Sequence, residues 1–381
     1  MTDSPRACHV LVTATSRVPS VELMAILPLR VLMQRGVCQF IYADETKVDA
    51  SHIAWADVVL TVRSCSTRGQ AVAQVAKAAG RKLVCFYDDD FLTLPPHSPS
   101  HDYYASGGIR RRLIWFLQEA DVLCFSNAAL AEAYGRLTRR PIALLEAGVE
   151  FPDVSPRPDD RVRVLFAGSI DHARFVDEVC REALRAAFEK HSDQVEVYCM
   201  GARPRFAGEL PVRYLPYVYD YADYRRLVSV LAPNIGLAPL PAGDFFARKF
   251  QNKLLDYGSL GAAIIFSDVA PYRGVVEHDK MGLMADNSPR AWRESLLRLI
   301  EDSGLRQRVG EGALAYVREH HSPERAADSC GAALASFFAY RAPLAQESAC
   351  VIPNRGLLRE YLADHGMLRT ARRGLRKLLG I

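Results

Sequence analysis

Residues 162–169 read VRVLFAGS, an apolar run that closes with a glycine and a serine. A short run this rich in branched apolar residues is typical of a strand buried on both faces of a parallel sheet. Gly168 allows a tight turn where the strand ends and the next helix begins. A strand, a glycine turn and a helix form the unit from which doubly wound α/β domains are built.

The same alternation continues on both sides of this stretch. Apolar runs predict strands, and the segments between them have helical spacing. After residue 169 we predict strands at 195–200, 235–240 and 263–266 and a long helix near 324–340; before residue 151 we predict strands at 9–13, 39–42, 58–62, 83–87, 122–125 and 142–145, with helices at 21–35, 70–79 and 109–120. The predicted fold class is therefore α/β with parallel sheets.

Residues 151–160 separate two such domains. This stretch, FPDVSPRPDD, holds three prolines and three aspartates and is typical of a linker. We predict an N-terminal domain at 1–152 and a C-terminal domain at 160–341, with 342–381 packing back on the first domain or on a membrane. Two α/β domains joined by a short linker form a cleft, and ligands bind in such clefts.

The composition is that of a globular protein. The chain has 381 residues, 49% hydrophobic and 24% charged, with a net charge of +4. These values exclude disordered and collagen-like proteins, and they do not favour nucleic-acid binding. The nine cysteines form no C-x-x-C pair, which argues against zinc and favours buried thiols in the cytoplasm. There is no signal-peptide core and no apolar run of about 20 residues, so we expect a cytoplasmic protein.

Residues 367–379 form a segment of their own. Apolar residues fall on one helical face and basic residues lie between them, with no acidic residue after Asp364. This pattern predicts a basic amphipathic helix. Two interpretations stay open: peripheral contact with the inner face of the plasma membrane, or a packing helix whose basic side is solvated.

The second half carries four motifs in order: FAGS at 166–169, IGLAPL at 235–240, RKFQNKLLDYG at 248–258 and GAAIIFSD at 261–268. This order resembles the donor domain of glycosyltransferase family 4. The resemblance covers residues 160–325 well and the first domain more weakly. It implies the GT-B architecture, in which two Rossmann-like doubly wound domains face an interdomain cleft.

The resemblance also implies an activity. Enzymes of this kind transfer a sugar from a UDP-, GDP- or dTDP-sugar to a glycan or lipid-linked acceptor, with retention of configuration and without a metal or other cofactor. The subgroup is common in the biosynthesis of cell-surface polysaccharides, namely the O-antigen of lipopolysaccharide, capsule and exopolysaccharide. Two alternatives stay open: a nucleotide-sugar epimerase of GT-B shape, and a non-catalytic relative that binds glycan or nucleotide.

The phosphates of such a donor need cations and N–H donors, because the leaving diphosphate gains negative charge. Gly168 and Ser169 precede a helix whose N-terminal N–H groups could face phosphate. His172 follows as a candidate for contact with phosphate or with the reacting sugar. Arg174 stands near the place of a family lysine, and Ser169 takes the place of a family arginine.

A predicted charged helix supplies the other donor-binding candidates. Lys249 and Lys253 are four residues apart, so they would share one helix face and bind phosphate between them. Asp256 takes the place of the second glutamate of the family's E-x7-E motif, which holds the donor ribose, and Arg248 replaces the first. The alternative is a solvated basic patch in which Asp256 pairs with Lys253.

Asp88, Asp89 and Asp90 follow the predicted strand 83–87, and functional groups gather at such strand ends. A metal site, in which Mg²⁺ or Mn²⁺ bridges the diphosphate, is one interpretation. Because the second domain already supplies a donor site, we prefer an acceptor-side cluster that acts in catalysis by positioning and electrostatics. A solvated capping turn is the remaining alternative.

Three further residues of the first domain are predicted to bind the acceptor. Arg63 follows a strand end, and His101 and Tyr103 lie in a loop that could line the acceptor pocket.

Overall fold

The computed structural model describes residues 6–152 and 160–353, together with Arg359, Leu362 and Asp364. Most of the predicted linker, 153–159, and the predicted basic helix, 367–379, lie outside the described residues.

The chain divides into two compact units. The first holds the described residues up to Ala147 and those from Ala326 onward, and the second spans Gly148–Arg325. Residues 148–152, which we predicted in the first domain, belong to the second unit. Residues 326–341, which we predicted in the second domain, belong to the first unit.

The first unit is built on a parallel sheet of six strands in the order β2-β1-β3-β4-β5-β6. The strands are β1 (Cys8–Ala14), β2 (Cys38–Asp44), β3 (Val58–Val62), β4 (Lys82–Tyr87), β5 (Val122–Phe125) and β6 (Ile142–Leu144). β1 pairs with β2 on one side and β3 on the other, so the strand order reverses between β1 and β3. Such a switch point opens a crevice at the carboxyl ends of the strands.

Helices cover this sheet. They are α1 (Pro19–Val21), α2 (Leu27–Gln34), α3 (Ala50–Trp55), α4 (Thr67–Ala78), α5 (His101–Tyr104), α6 (Gly107–Glu119) and α7 (Ala128–Gly135), with a π-helical turn at Glu22–Ile26 and a 3₁₀ turn at Glu45–Lys47. α4 begins earlier than predicted because the Ser66 side chain accepts a hydrogen bond from the Gly69 N–H and caps the helix.

The second unit has a parallel sheet of six strands in the order β12-β11-β10-β7-β8-β9. The strands are β7 (Val162–Gly168), β8 (Val195–Gly201), β9 (Val212–Leu215), β10 (Ile235–Ala238), β11 (Ala263–Ser267) and β12 (Leu283–Ala285). Counted within the unit, this is the order 3-2-1-4-5-6 of a dinucleotide-binding domain. Its switch point lies between β7 and β10, beside the Gly168 turn.

The helices of this unit are α8 (Ala173–His191), α9 (Tyr221–Leu231), α10 (Asp244–Ala247), α11 (Asn252–Gly258), α12 (Pro289–Glu301) and α13 (Ser303–His320), with 3₁₀ turns at Ile170–His172 and Arg205–Gly208. Trp292 on α12 is fully buried in the apolar core of the unit. No helix among the residues that the structure describes is both long enough and apolar enough to cross a membrane.

The predicted strands are present, and the α/β doubly wound class is confirmed. β10 ends at Ala238, before the predicted end at 240, because Pro239 lacks the N–H that a sheet requires. The predicted long helix near 324–340 is two helices, α14 (Pro323–Ala333) and α15 (Ala335–Phe338), since Leu334 leaves helical geometry. A last 3₁₀ turn spans Glu347–Cys350.

Candidate functional site

An ion pair joins the carboxyl ends of β3 and β4 in the first unit. Nε and Nη2 of Arg63 both donate to the Asp88 carboxylate, the latter at 2.6 Å, and the Ser20 hydroxyl donates to the same carboxylate. Asp88 is 4% exposed, whereas a quarter of the Arg63 side chain is exposed. Burial is the largest single effect and lowers the pKa of Arg63. The charge of Asp88, its hydrogen bond with Arg63 and the charge of Asp89 together outweigh burial and raise the pKa above its ordinary value.

Arg63 has a left-handed backbone, with φ of 57°, which is uncommon for a residue with a side chain. Its N–H donates to the Phe86 carbonyl at 2.9 Å, and this bond ties the turn to β4. Strained backbone of this kind clusters at functional sites, where the surroundings hold one geometry in place. The conformation directs Arg63 to Asp88, its neighbour at the switch-point end of the sheet.

The three aspartates have different surroundings. Asp89 is partly exposed, and its carboxylate lies 3.6 Å from Arg63 Nη2. Asp90 is buried and accepts hydrogen bonds from the Leu92 N–H at 3.1 Å and the Thr93 hydroxyl at 2.7 Å. Asp90 therefore shapes its own turn, as in the capping interpretation, while Asp88 and Asp89 face Arg63.

Aromatic rings extend this cluster. Arg63 Cζ lies 5.5 Å from the centre of the Phe91 ring. The Tyr104 ring stacks on the Phe91 ring, with the two ring centres 4.4 Å apart. Tyr103 contacts Tyr104 edge to face and forms a hydrogen bond with Cys65. His101 stands at the start of the same short helix, with Nδ1 at 3.2 Å from Asp102. The structure thus brings Tyr103, through Tyr104, close to Arg63.

A buried carboxyl under this turn escaped the sequence analysis. Glu45 is 1% exposed and accepts hydrogen bonds from the hydroxyls of Ser64 and Ser66. Burial raises the pKa of Glu45, and the two serine hydrogen bonds oppose this only in part. Gly69 makes room for the carboxyl, because a Cβ at that position would lie 2.5 Å from Glu45 Oε1.

In the second unit, two glycines close the strand ends beside the switch point. The Gly168 carbonyl accepts a hydrogen bond from the Ala202 N–H at 2.7 Å. Gly201 has φ of +82°, and a Cβ there would lie 2.4 Å from the Gly168 oxygen. The turn after β7 therefore packs backbone against backbone, and its residues Gly168 and Ser169 are half-buried.

Ser169, His172 and Arg174 follow this turn. Ser169 precedes the 3₁₀ turn Ile170–His172, and His172 is the N-cap residue of α8, which is 19 residues long. The first turn of α8 carries no acidic residue, so its positive end is not neutralised from within the helix. Arg174 is 83% exposed and pairs with Glu178 at 2.9 Å.

Asp256 lies at the centre of a buried polar cluster. It is 4% exposed and accepts hydrogen bonds from the hydroxyls of Tyr221 at 3.4 Å and Tyr224 at 3.1 Å, and from Lys253 Nζ at 2.9 Å. Arg225 Nη1 donates to the Asp256 carbonyl at 3.0 Å. These internal donors support the pairing with Lys253, and direct contact of Asp256 with ribose stays a prediction.

The predicted shared helix of Lys249 and Lys253 is wrong. α10 ends at Ala247 and α11 begins at Asn252, since Gln251 between them has ψ of 49°. Lys249 precedes α11, and its Nζ lies 4.8 Å from the centre of the Phe245 ring. Lys253 is on α11, with its Nζ 5.6 Å from the Tyr257 ring centre. Arg248 is the C-cap residue of α10.

Tyr257 connects α11 to the switch point. Its hydroxyl accepts a hydrogen bond from the Ala167 N–H at 2.9 Å, one residue before the Gly168 turn. Its ring fills the space over Gly236, where a Cβ would lie 2.3 Å from the ring. The helix that carries Lys253 and Asp256 is thereby fixed to the strand that ends at Gly168.

The described residues contain no group of three or more His, Cys, Asp or Glu side chains placed to hold a metal ion. Five residues that contact or support the candidate sites were missed by sequence reasoning: Ser20, Glu45, Tyr221, Tyr224 and Tyr257. Of these, Tyr257 lies inside the quoted motif 248–258, whereas the others carry no spacing signal toward their partners.

Comparison with solved structures identifies the fold. HepE of Anabaena, in complex with UDP and glucose, has 13% sequence identity and a TM-score of 0.60, with 86% of this chain and 100% of that chain covered. A UDP-forming α,α-trehalose-phosphate synthase from Burkholderia xenovorans has 13% identity and a TM-score of 0.59, covering 87% and 99%. A glycosyltransferase from Rickettsia africae has 12% identity and a TM-score of 0.58, covering 88% and 99%.

No protein-family model matches the sequence, and no curated protein matches it. The structural similarity confirms the predicted GT-B fold. At these identities it concerns the fold alone, so the resemblance to family 4 stays a prediction.

Proposed function

We propose that the protein is a glycosyltransferase that moves a hexosyl group from a nucleotide-diphosphate sugar to an acceptor hydroxyl. The observation that carries this proposal is the similarity to HepE over 86% of the chain, since that protein was crystallised with UDP and glucose. Of the three donor classes that we considered, this favours UDP over GDP and dTDP. In the reaction, the bond from sugar C1 to the diphosphate oxygen breaks, a bond from C1 to the acceptor oxygen forms, and the proton of the acceptor hydroxyl passes to the leaving diphosphate.

The donor diphosphate is proposed to bind at the Gly168 turn. The N-terminus of α8 supplies N–H donors, and His172 is the N-cap residue of this helix. Lys253 supplies the positive charge, because Tyr257 fixes its helix to the same strand end. Lys249 and Arg174 would add further positive charge, Arg174 from a largely exposed position. No step in this scheme requires a metal ion, because these cations can stabilise the leaving diphosphate.

The acceptor is proposed to bind at the switch-point end of the first sheet. Arg63 is held by Asp88 with part of its guanidinium exposed, and Asp89 leaves a partly exposed carboxylate beside it. Tyr103 and His101 would line the same surface. Arg63 and Asp89 would orient the acceptor hydroxyl by hydrogen bonds, which is the positioning role predicted for this cluster. We propose a glycan or lipid-linked acceptor of cell-surface polysaccharide synthesis, with retention of configuration.

The experiment is calorimetric titration with UDP, GDP and dTDP, each with and without EDTA, followed by incubation with the matching sugar nucleotides. Binding of UDP that EDTA leaves unchanged supports the donor site and its independence of metal. Release of UDP that depends on an added acceptor supports transfer. Conversion of the donor to its epimer without an acceptor would point to the epimerase alternative, and failure to bind any nucleotide would overturn the proposal.

A further inference from the structure

A carboxylate from the far end of the chain is bound at the N-terminus of α4. Asp364 Oδ1 accepts hydrogen bonds from the Thr67 backbone N–H at 3.0 Å, from the Thr67 hydroxyl at 2.6 Å and from Arg112 Nη2 at 2.6 Å. Oδ2 lies 3.3 Å from the same N–H. One side chain thus receives a main-chain donor, a hydroxyl donor and a guanidinium from residues that are far from it in sequence.

The groups around this carboxylate are held in place without it. Ser66 caps α4 through the Gly69 N–H, and the first turn of this 12-residue helix contains no acidic residue. Arg112 lies on α6, and its Nε donates to the Cys65 carbonyl at 2.9 Å, which fixes the plane of the guanidinium. The side chain of Arg112 is 11% exposed and that of Asp364 is 13% exposed. The donors are therefore largely shielded from solvent, where charge-assisted hydrogen bonds are strong.

One acidic group faces the site from the other side of the turn. Glu45 lies below residues 64–66, and the negative charge of Asp364 adds to burial in raising the pKa of Glu45. The raised pKa favours the neutral form of Glu45. An anion bound beside Thr67 and Arg112 is therefore repelled less by Glu45 than it would be by an ionised carboxylate. Tyr103 and Cys65 are further titratable neighbours, and burial raises the pKa of each above its ordinary value.

We propose that Thr67, Arg112 and the N-terminus of α4 form a binding site for a phosphoryl group of the acceptor, and that Asp364 fills it as an internal ligand that this phosphate displaces. A helix N-terminus, a hydroxyl and an arginine are the donor set that proteins use for phosphate. A phosphate presents three terminal oxygens and up to two charges, whereas Asp364 presents two oxygens and one charge. Thr67 follows Arg63 by four residues in the sequence, and Tyr103 adjoins the site. The site therefore lies on the proposed acceptor side.

The assignment of this phosphate to the acceptor rests on the proposed function. The phosphate site itself does not, since phosphate binding can be measured without any donor. The test is titration with inorganic phosphate of the unaltered protein, of Asp364→Ala and of the double variant Asp364→Ala with Arg112→Gln. Removal of the internal ligand is expected to tighten phosphate binding about tenfold or more, because a competing occupant lowers apparent affinity. The added Arg112→Gln should abolish the gain.

Asp328→Ala is the matched control, because Asp328 is an exposed carboxylate that pairs with Arg35 in the same unit. Equal phosphate affinity of the Asp364→Ala, Asp328→Ala and unaltered proteins would overturn the proposal. UDP titration of each variant keeps the two proposals distinct: retained UDP binding without a gain in phosphate affinity rejects this site alone.

Two further measurements complete the test. A hexose phosphate and farnesyl phosphate, titrated against Asp364→Ala, distinguish a water-soluble from a lipid phosphate acceptor by which of them binds more tightly. If Asp364→Ala does not fold, crystals of the unaltered protein are soaked in tungstate, an electron-dense analogue of phosphate. Tungstate between the Thr67 N–H and Arg112 supports the site, and a soak that leaves Asp364 in place there overturns it.

Discussion

Arg63 and Asp88 form a two-nitrogen ion pair that joins the ends of the adjacent strands β3 and β4, beside the switch point of the first sheet. The pair has one buried and one partly exposed partner, so Asp88 holds a cation whose other face can meet a ligand. Its geometry depends on the left-handed backbone of Arg63. Replacement of either partner should therefore affect both stability and activity.

We expect Asp88→Asn to lower the free energy of unfolding by about 2 kcal/mol, since it leaves Arg63 without its anionic partner. Urea unfolding measures this change. Transfer activity should fall by at least about a hundredfold, because Arg63 loses its fixed orientation. Asp328→Asn, at an exposed ion pair of the same unit, should change neither quantity by much. Full activity of Asp88→Asn would remove Asp88 from the proposed acceptor site.

The sequence predicted the sheets well because buried parallel strands read as continuous apolar runs. It missed β9 and β12, which lie at the two edges of the second sheet. β9 is mostly half-buried and β12 has only three residues, so neither produces an apolar run long enough to recognise.

Side-chain partners were harder to predict than strands. The spacing of Lys249 and Lys253 suggested one helix, but the break before Asn252 depends on backbone geometry that spacing does not reveal. The tyrosines around Asp256 come from α9, more than 30 residues earlier. Asp364 meets Thr67 across 297 residues, and only the folded chain shows this contact.

Lys253 is expected to contribute to donor binding. Lys253→Met removes a cation that Asp256 and the Tyr257 ring hold in place, so the dissociation constant for UDP should rise about tenfold. Isothermal titration calorimetry gives this value directly. Lys280→Met is the control, because Lys280 is an exposed lysine of the same unit that pairs with Glu277. If both variants bind UDP like the unaltered protein, Lys253 does not contact the diphosphate.

The raised pKa of Glu45 predicts a pH dependence of stability. The folded state binds the proton of Glu45 more tightly than the unfolded state, in which the pKa is near its ordinary value of 4.5. The contribution of Glu45 therefore favours folding at low pH and weakens as the pH rises above 4.5, until the folded carboxyl also ionises. Glu45→Gln, which stays neutral, should lack this decline when urea unfolding is measured from about pH 4 to about pH 8.

Asp49 supplies a control of opposite sign for Glu45. It is an exposed N-cap residue of α3 whose pKa is lowered to about 2, first of all by the hydrogen bond from Ser51. Its contribution is present above the ordinary pKa of an aspartate and is lost as the pH falls toward 2. Asp49→Asn should therefore leave the decline at higher pH unchanged. A parallel pH profile for Glu45→Gln and the unaltered protein would show that folding does not raise the pKa of Glu45.

The contact between Gly201 and Gly168 allows a matched pair of glycine variants. In Gly201→Ala the new Cβ would meet the Gly168 oxygen, and the backbone has φ of +82°. The variant should therefore lose about 2 kcal/mol or more of unfolding free energy. It should also weaken UDP binding, because the turn after β7 must shift. Gly208→Ala, at a position with no atom within 4 Å of the new Cβ, should affect neither quantity. Weakened stability with unchanged UDP affinity would place the donor diphosphate away from this turn.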